Sequence, residues 1–264
     1  PPRSTLFPYT TLFRSKVIAC YSMKGGVGKT ATSVNLAYWA AKSGSKTLLI
    51  DLDPQGASSF YFRVQPSSKK WAKRFFKAYE NLVKHIRASD FENLDIIPAH
   101  LSFRNFDTLL AGFNKRKNRL KRVLKGFNKE YDLVVLDCPP SISHLSESIF
   151  IASDMVLVPV IPTTLSERTF EQLIAFFKEN DYPQDKIIPF FSMVQAQKSL
   201  HKATMEAMSA RYKIFLNTII PYSSDIEKMG IHKAPVDTFA KSRQANYAYR
   251  ELWEEVAETA QKQA

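Results

Sequence analysis

Ser22-Met23-Lys24-Gly25-Gly26-Val27-Gly28-Lys29-Thr30 is the stretch of this 264-residue chain that decides its fold. It follows an apolar run at residues 17–20, which predicts a buried strand, and it precedes a helical pattern at residues 33–41. Glycines let the backbone curl so that successive N–H groups point at phosphate oxygens, and a helix N-terminus adds the positive end of its dipole. The order strand, glycine loop and helix therefore predicts a phosphate-binding loop.

The two residues that close this loop carry groups suited to a nucleoside triphosphate. Lys29 is predicted to reach the β- and γ-phosphates, and the Thr30 hydroxyl is predicted to bind Mg²⁺. The strict loop pattern has its first glycine where Met23 stands, and a lysine follows at Lys24. With this departure, residues 24–30 resemble the deviant Walker A loop of the ParA/MinD family of ATPases.

The resemblance implies ATP and Mg²⁺ as ligands and an ATP-dependent homodimer. The nucleotide-binding residues that it implies are Lys24, Gly25, Gly26, Val27, Gly28, Lys29, Thr30 and Ala31. In the dimer, Lys24 of one subunit would contact the phosphates of the other and stabilise the charge that develops during hydrolysis. Lys24, Lys29 and Asp53 are the catalytic residues that follow from the resemblance.

Two acids at the ends of predicted strands belong to the same pattern. Asp53 follows the predicted strand at residues 47–51, in a segment similar to switch I of the family, where the matching acid positions the attacking water. Asp137 ends the apolar run at residues 131–137, which has the shape of a Walker B strand, and it is predicted to hold Mg²⁺ through water. Ligands bind at the carboxyl ends of parallel strands, so we expect both acids beside the loop.

Later segments extend the resemblance along the chain. Residues 138–141 resemble switch II, and residues 162–166 resemble the next block of the family. The turn at residues 221–224 resembles the segment that lines the adenine pocket, which makes Pro221 a nucleotide-binding candidate. Alternating strand and helix patterns predict an α/β fold with a doubly wound, mostly parallel sheet flanked by helices, as a single domain over residues 16–264.

Residues 1–15 do not share this pattern. They have no useful periodicity and resemble translated adapter read-through, so we interpret them as a non-native leader and exclude them from fold reasoning. A secretory signal is the alternative, but the stretch lacks an apolar core of about 7 residues.

The chain carries a net charge of +12, and this charge is unevenly distributed. Residues 63–129 contain 17 Lys and Arg against 5 Asp and Glu, whereas the remainder is near neutral. Such a balance favours an anionic partner such as nucleic acid, but solvated helix faces explain it equally well. Within this region, residues 106–127 are predicted to form one amphipathic helix whose inward residues are Leu109, Leu110, Phe113, Leu120, Val123, Leu124 and Phe127. Phe75, Phe76 and Tyr79 are predicted to pack inward rather than to stack on bases.

Cysteine usage and hydropathy indicate a cytoplasmic protein. Cys20 and Cys138 provide neither a disulfide framework nor a metal-ligand spacing, which makes a reducing compartment the default. No apolar run reaches the ~18 residues of a membrane span, so no stable membrane insertion is expected. Towards the end of the chain, a strand is predicted at residues 214–220. A closing helix is predicted at residues 244–262, with Tyr247, Leu252, Trp253 and Val256 packing inward.

Within the superfamily, the residues favour the ParA/Soj-like partition ATPases, which bind DNA without sequence preference when ATP is bound. Residues 250–264 contain 2 basic and 4 acidic residues, which is the wrong sign for the membrane-binding helix of a MinD-like protein. Neither cysteine is placed to hold a shared Fe–S cluster. A protein cargo, MinD-like membrane cycling and an ATP-dependent metabolic reaction stay open as alternatives.

The resemblance also implies partners and a location. The partners are a second copy of the chain, non-specific DNA and a ParB-like or other hydrolysis-stimulating protein, and the location is the nucleoid in the cytoplasm. The candidate DNA-binding residues are Arg211, Lys213, Lys228 and Lys233, which lie in or near a region where relatives place DNA-contacting arginines.

Overall fold

The computed structural model describes residues 15–66, 71–240 and 243–263, and it folds them around a mostly parallel sheet with helices on both faces. The strands are β1 (Lys16–Cys20), β2 (Thr47–Asp51), β3 (Arg87–Ala88), β4 (Leu94–Ile97), β5 (Leu133–Asp137), β6 (Met155–Val160), β7 (Ile187–Val194) and β8 (Ile219–Pro221). The helices are α1 (Lys29–Lys42), α2 (Ala57–Tyr61), α3 (Ala72–Phe75), α4 (Tyr79–Val83), α5 (Phe106–Ala111), α6 (Arg119–Leu124), α7 (His144–Ala152), α8 (Thr164–Glu179), α9 (Ser199–Arg211), α10 (Ser224–Glu227), α11 (Met229–His232) and α12 (Arg243–Lys262). The predicted fold class is confirmed.

The strand order brings the predicted loop and the strand-ending acids to one edge of the sheet. The order is β3-β4-β2-β5-β1-β6-β7-β8, and all neighbours are parallel except β3 and β4. Asp137 at the end of β5 is paired with Cys20 of β1 on one side and with Asp51 of β2 on the other. The carboxyl ends of these three strands are therefore level, and the loop after β1 opens beside both acids.

The alternation of side chains along the strands divides the core into two clusters. In β1, Val17 and Ala19 belong to one cluster, whereas Ile18 and Cys20 belong to the other. The second cluster includes the inward face of α12, with Leu252 among its buried residues.

One prediction for α12 is wrong, because the side chain of Tyr247 is 48% exposed. The buried stripe of the helix lies at helical spacing, and Tyr247 falls outside it. That stripe consists of Ala245, Ala248, Tyr249, Leu252, Trp253, Val256, Ala257 and Ala260.

The prediction of one continuous helix at residues 106–127 is also wrong. The segment contains the two short helices α5 and α6, separated by a 3-10 turn at Arg116–Asn118 and followed by another at Lys125–Lys129. Lys115 adopts a left-handed backbone conformation with φ of 56°, which ends any helix that runs through it. The inward positions were nevertheless correctly predicted, since Leu110, Leu120 and Phe127 are buried.

The aromatic residues near α3 pack as predicted. Phe75 and Phe76 are buried, and Tyr79 is partly buried with its ring 4.8 Å from that of Phe127. Their role in the core accounts for the aromatic content of this basic region.

The strand predicted at residues 214–220 is much shorter in the structure, where only Ile219–Pro221 forms β8. The backbone N–H groups of Asn217 and Thr218 donate to the carboxylate of Glu255 in α12, at 2.7 and 2.9 Å. These donors are therefore bonded to a helix side chain rather than to a neighbouring strand.

Residues 1–15, interpreted as a non-native leader, lie almost entirely outside the described residues, which begin at residue 15, so this interpretation stays a prediction. Across the described parts of the chain, no helix combines the length and the apolar character needed to cross a membrane.

Gly126 lies where a side chain has no room, and its replacement should destabilise the fold. A Cβ at Gly126 would lie 2.3 Å from ring carbons of Tyr79, whereas a Cβ at Gly112 would lie 3.6 Å from its nearest neighbour, the Leu109 carbonyl oxygen. We expect Gly126→Ala to lower the free energy of unfolding by about 1–3 kcal/mol, because the ring must shift within a packed core. Gly112→Ala, the matched control, should change it by less than ~0.5 kcal/mol. Urea unfolding checks both, and equal midpoints for the two variants would contradict the expectation.

Candidate nucleotide-binding site

The loop between β1 and α1 has the backbone shape that a phosphate cradle requires. Gly26 and Gly28 adopt left-handed conformations, with φ of 71° and 93°, which L side chains rarely adopt. A Cβ at Gly28 would also lie 3.1 Å from Ser192 Oγ, and that hydroxyl donates to the Val27 carbonyl at 3.0 Å. A Cβ at Gly25 would meet no atom within 4 Å, so the loop leaves open space on its outer side.

Lys29 begins α1 and is held against the loop. Its side chain is buried, and Nζ donates to the carbonyl oxygen of Lys24 at 3.0 Å. Burial lowers the pKa of the ammonium, and the negative charge of Asp137 opposes this shift. Lys29 is thus a buried cation at a helix N-terminus, where an anionic ligand is favoured by both the charge and the dipole.

Asp137 lies beneath the loop and is 1% exposed. Its two carboxylate oxygens accept hydrogen bonds from Ser58 Oγ at 2.5 Å and from Ser33 Oγ at 3.1 Å. Burial raises the pKa of Asp137, and the hydroxyls of Ser58, Thr30 and Ser33 oppose this shift. Mg²⁺ prefers oxygen ligands such as carboxylates and hydroxyls, so Thr30 and Asp137 fit the metal that accompanies a nucleoside triphosphate.

Asp51, at the end of β2, is a second buried acid that the sequence reasoning did not assign to the site. Its Oδ2 atom accepts hydrogen bonds from the backbone N–H and the hydroxyl of Ser59, at 2.9 and 2.7 Å. Burial, together with the charge of the adjacent Asp137, raises the pKa of Asp51 to about 8. The two acids thus oppose each other's ionisation across neighbouring strands.

A cavity of about 380 Å³ opens in front of the loop. The predicted residues that line it are Gly25, Gly26, Gly28, Lys29, Thr30, Ala31 and Asp53. Asp53 is partly exposed, and its Oδ1 atom accepts a hydrogen bond from the backbone N–H of Gln55 at 2.9 Å. The structure thus brings the candidate water-positioning acid to the same cavity as the candidate phosphate loop.

Three predicted nucleotide-binding residues do not line this cavity. Lys24 and Val27 line a small pocket on the other side of the loop, which also includes Phe170 of α8. Pro221 lines a separate cavity between α9 and α12, whereas its neighbour Ile220 lines the cavity in front of the loop. The role of Pro221 stays a prediction.

Several residues of the site were missed by sequence reasoning. Ser33 lies one helical turn after Lys29 and Thr30, and that spacing could have indicated it. Ser58 follows the switch I segment by two residues, in the short helix α2, which no hydrophobic periodicity predicts. Ile226 and Glu227 of α10 complete the cavity. Their approach depends on the tertiary fold.

The candidate DNA-binding residues occupy the end of α9 and the neighbourhood of α11. Arg211 forms ion pairs with Glu171 and, at 3.8 Å, with Glu167. Lys228 lies 3.3 Å from the carboxylate of Asp225. Lys233 Nζ lies 4.9 Å from the ring centroid of Phe60, and Lys213 is exposed.

The fold and the loop define a nucleotide-binding domain of the P-loop class. A family model described as an AAA domain, AAA_31, matches residues 15–188. The sporulation initiation inhibitor protein Soj of Bacillus subtilis is 30% identical over 254 residues, which cover 92% of this chain and 98% of that protein. The chain belongs to the ParA/Soj family of AAA_31 ATPases.

Solved structures share the same architecture. A plasmid partition protein from Borrelia burgdorferi matches with a TM-score of 0.66 and 26% identity, over 86% of this chain and 99% of that chain. Cobyrinic acid a,c-diamide synthase from Mycobacterium smegmatis, with bound ATP analog and magnesium, matches with a TM-score of 0.74 and 23% identity, over 92% and 94%. The second likeness concerns the fold alone.

The raised pKa of Asp51 predicts a pH-dependent stability in the absence of nucleotide. Burial raises the pKa values of both Asp51 and Asp137, so the folded protein should hold a proton on this pair, assigned to Asp51, in the window between 3.8 and about 8, where the unfolded chain has released it. The free energy of unfolding should therefore fall as pH rises through this window, by up to about 1.4 kcal/mol per pH unit for one proton. In Asp51→Asn the side chain is neutral throughout, so this fall should be smaller.

Thermal or urea unfolding at several pH values between about 5 and 8 measures the effect. Asp185→Asn, at an exposed acid, is the control and should keep the slope of the parent. An Asp51→Asn variant with the parent's slope would show that Asp51 does not carry the proton.

Proposed function

We propose that the chain is an ATPase that binds Mg²⁺ and ATP, forms a homodimer, and in that state binds DNA without sequence preference in order to segregate plasmid or chromosome DNA. The observation that carries this proposal is the position of Lys29 and Thr30, which open α1 above the buried acid of β5, in a chain of the ParA/Soj family. The work is proposed to take place in the cytoplasm, on the nucleoid.

Each residue of the site has a proposed task. The backbone N–H groups of residues 25–30 and the ammonium of Lys29 hold the phosphates. Thr30, and Asp137 through water, would hold Mg²⁺, which when bound supplies charge neutralisation at the β- and γ-phosphates. Asp53 orients the attacking water at the mouth of the cavity.

Lys24 is proposed to act on the partner subunit's nucleotide. Lys24 lines the small pocket beside α8 and is not among the residues that line the cavity in front of the loop, which supports a task outside its own nucleotide site. A cation that reaches the γ-phosphate across a dimer interface stabilises the charge that develops during transfer. Hydrolysis then separates the subunits and releases DNA, and a ParB-like protein is the proposed stimulator.

Replacing each of the two loop lysines should impair a different step. Lys29→Ala removes the buried cation and should weaken ATP binding by about 100-fold or more, since a charge-assisted contact to phosphate is lost. Lys24→Ala should bind ATP as the parent does but lose ATP-dependent dimerisation and most hydrolysis. Fluorescence titration measures ATP affinity, sedimentation measures ATP-dependent dimerisation, and phosphate release measures hydrolysis. Unchanged ATP affinity in Lys29→Ala, or unchanged dimerisation and hydrolysis in Lys24→Ala, would contradict the assigned tasks.

The test of the proposed function is DNA binding by the intact chain in two nucleotide states. A fluorescent random-sequence duplex is titrated with protein in ATP and in ADP, at salt concentrations between ~50 and ~200 mM, and anisotropy is recorded. We expect binding that requires ATP and falls steeply with salt, because phosphate contacts release counterions. The contacts at Arg211, Lys213, Lys228 and Lys233 are proposed to contribute to it.

Two other results would redirect the assignment. Absence of DNA binding in both nucleotides would overturn the partition function and turn attention to membrane cycling. Phosphate release that depends on a small-molecule acceptor would point to an ATP-dependent metabolic enzyme. If the chain binds DNA in the presence of ATP but carries a protein rather than a plasmid or chromosome, the proposed mechanism would stand and only the cargo would differ.

A further inference from the structure

We propose that a surface formed by α3 and α6, far along the chain from the candidate DNA-binding residues, contacts the DNA phosphate backbone; this proposal rests on the proposed function. The surface, called the basic lobe, consists of Lys73 and Arg74 of α3, Lys121 and Arg122 of α6, and Lys77 and Lys125, which follow these helices within two residues. All six side chains belong to exposed residues.

The two helices lie on one continuous support. Tyr79, four residues after α3, packs its ring at 4.8 Å and 73° against that of Phe127, which follows α6. The backbone of Gly126 approaches the Tyr79 ring so closely that a Cβ would lie 2.3 Å from it. Phe75 and Phe76 pack on Phe106 of α5 at 4.9 and 4.8 Å, and these rings belong to the same hydrophobic cluster as Phe127, so α3 and α6 pack on one cluster.

The cations of the basic lobe are not neutralised by the protein. Among the described residues, none of the six forms an ion pair, whereas Arg63 and Lys117 in the same region are paired with Asp90 and Glu147. Glu130, the carboxylate nearest to α6 in sequence, accepts a hydrogen bond from the Tyr79 hydroxyl. Six exposed cations that form no ion pair within the described residues favour a polyanion over a single acidic side chain.

The character of the surface favours a nucleic acid over a membrane. Binding to an anionic bilayer is strong when apolar side chains enter the lipid beside the cations. The large apolar side chains of α3 and α6 are buried in the core instead, as Phe75, Phe76, Leu120 and Leu124 show. The exposed side chains of α3 and α6 themselves are charged, which suits the phosphates of a nucleic-acid backbone.

Two triple variants test the basic lobe, and a third serves as the charge-matched control. The first is Lys73→Gln, Arg74→Gln and Lys77→Gln; the second is Lys121→Gln, Arg122→Gln and Lys125→Gln. The control changes three exposed lysines on other elements, Lys178, Lys198 and Lys262, to Gln. Each variant loses three positive charges, so a general charge effect would appear equally in all three.

The readout is the slope of log affinity against log salt for a random duplex, with a non-hydrolysable ATP analogue bound. Each lost phosphate contact reduces the magnitude of this slope by about 0.9. The slope of each lobe variant should therefore be smaller in magnitude than the parent's by up to about 2.7, whereas the control should keep the parent's slope. Thermal unfolding and ATP binding of every variant confirm that it is folded.

A footprint on the unmodified protein gives an answer that does not depend on any variant. Lysine acetylation followed by mass spectrometry should show that duplex DNA with the ATP analogue protects Lys73, Lys77, Lys121 and Lys125, but not Lys178 or Lys198.

Three results would overturn the assignment of the basic lobe while leaving the proposed function intact. They are parent-like slopes in both lobe variants, an equal loss in the control, and unprotected lobe lysines in a protein that binds DNA. Binding of the parent to vesicles of phosphatidylcholine and phosphatidylglycerol, lost in the lobe variants while DNA binding is kept, would assign the lobe to membranes instead. A parent that does not bind DNA in either nucleotide would overturn the proposed function itself.

Discussion

The parallel register of β1, β5 and β2 is the constraint on which the rest of the site depends. It sets Asp137 level with Asp51, so two carboxylates with almost no exposure lie side by side at the strand ends. Two buried acids oppose each other's ionisation, and the arrangement persists because serine hydroxyls donate to both and because Lys29 places a positive charge nearby. A slip of one residue in either strand would turn an acid to the opposite face and separate it from the loop.

The two lysines of the glycine loop line different pockets. Lys29 is turned inward, where its ammonium is bonded to the loop's own backbone, whereas Lys24 lines the pocket beside α8. A single short stretch therefore borders two separate spaces, the cavity in front of the loop and the small pocket beside α8. The inward direction is fixed by the left-handed glycines and by the contact of Ser192 with Val27.

The sequence was most informative where a local requirement permits few residue types. Glycines at left-handed positions, an acid at the end of an apolar strand and alternating strand and helix patterns led to the loop, Asp137 and the fold class. Reasoning failed where the outcome depended on distant parts of the chain, since Ser58 reaches Asp137 across 79 residues and Asn217 is bonded to Glu255 of another element. The break between α5 and α6 was missed because a lysine, Lys115, adopts a conformation more typical of glycine.

Helix α7 connects the segment that follows β5 with two helices of the basic region. The Tyr21 hydroxyl, just after β1, donates to the Ser141 carbonyl at 2.9 Å, and α7 begins three residues later. In the first turn of α7, the backbone N–H of Leu145 donates to the Asp107 carboxylate of α5 at 2.9 Å, and Glu147 is paired with Lys117, just before α6. The segment that resembles switch II therefore leads directly into the helix against which α5 and α6 pack.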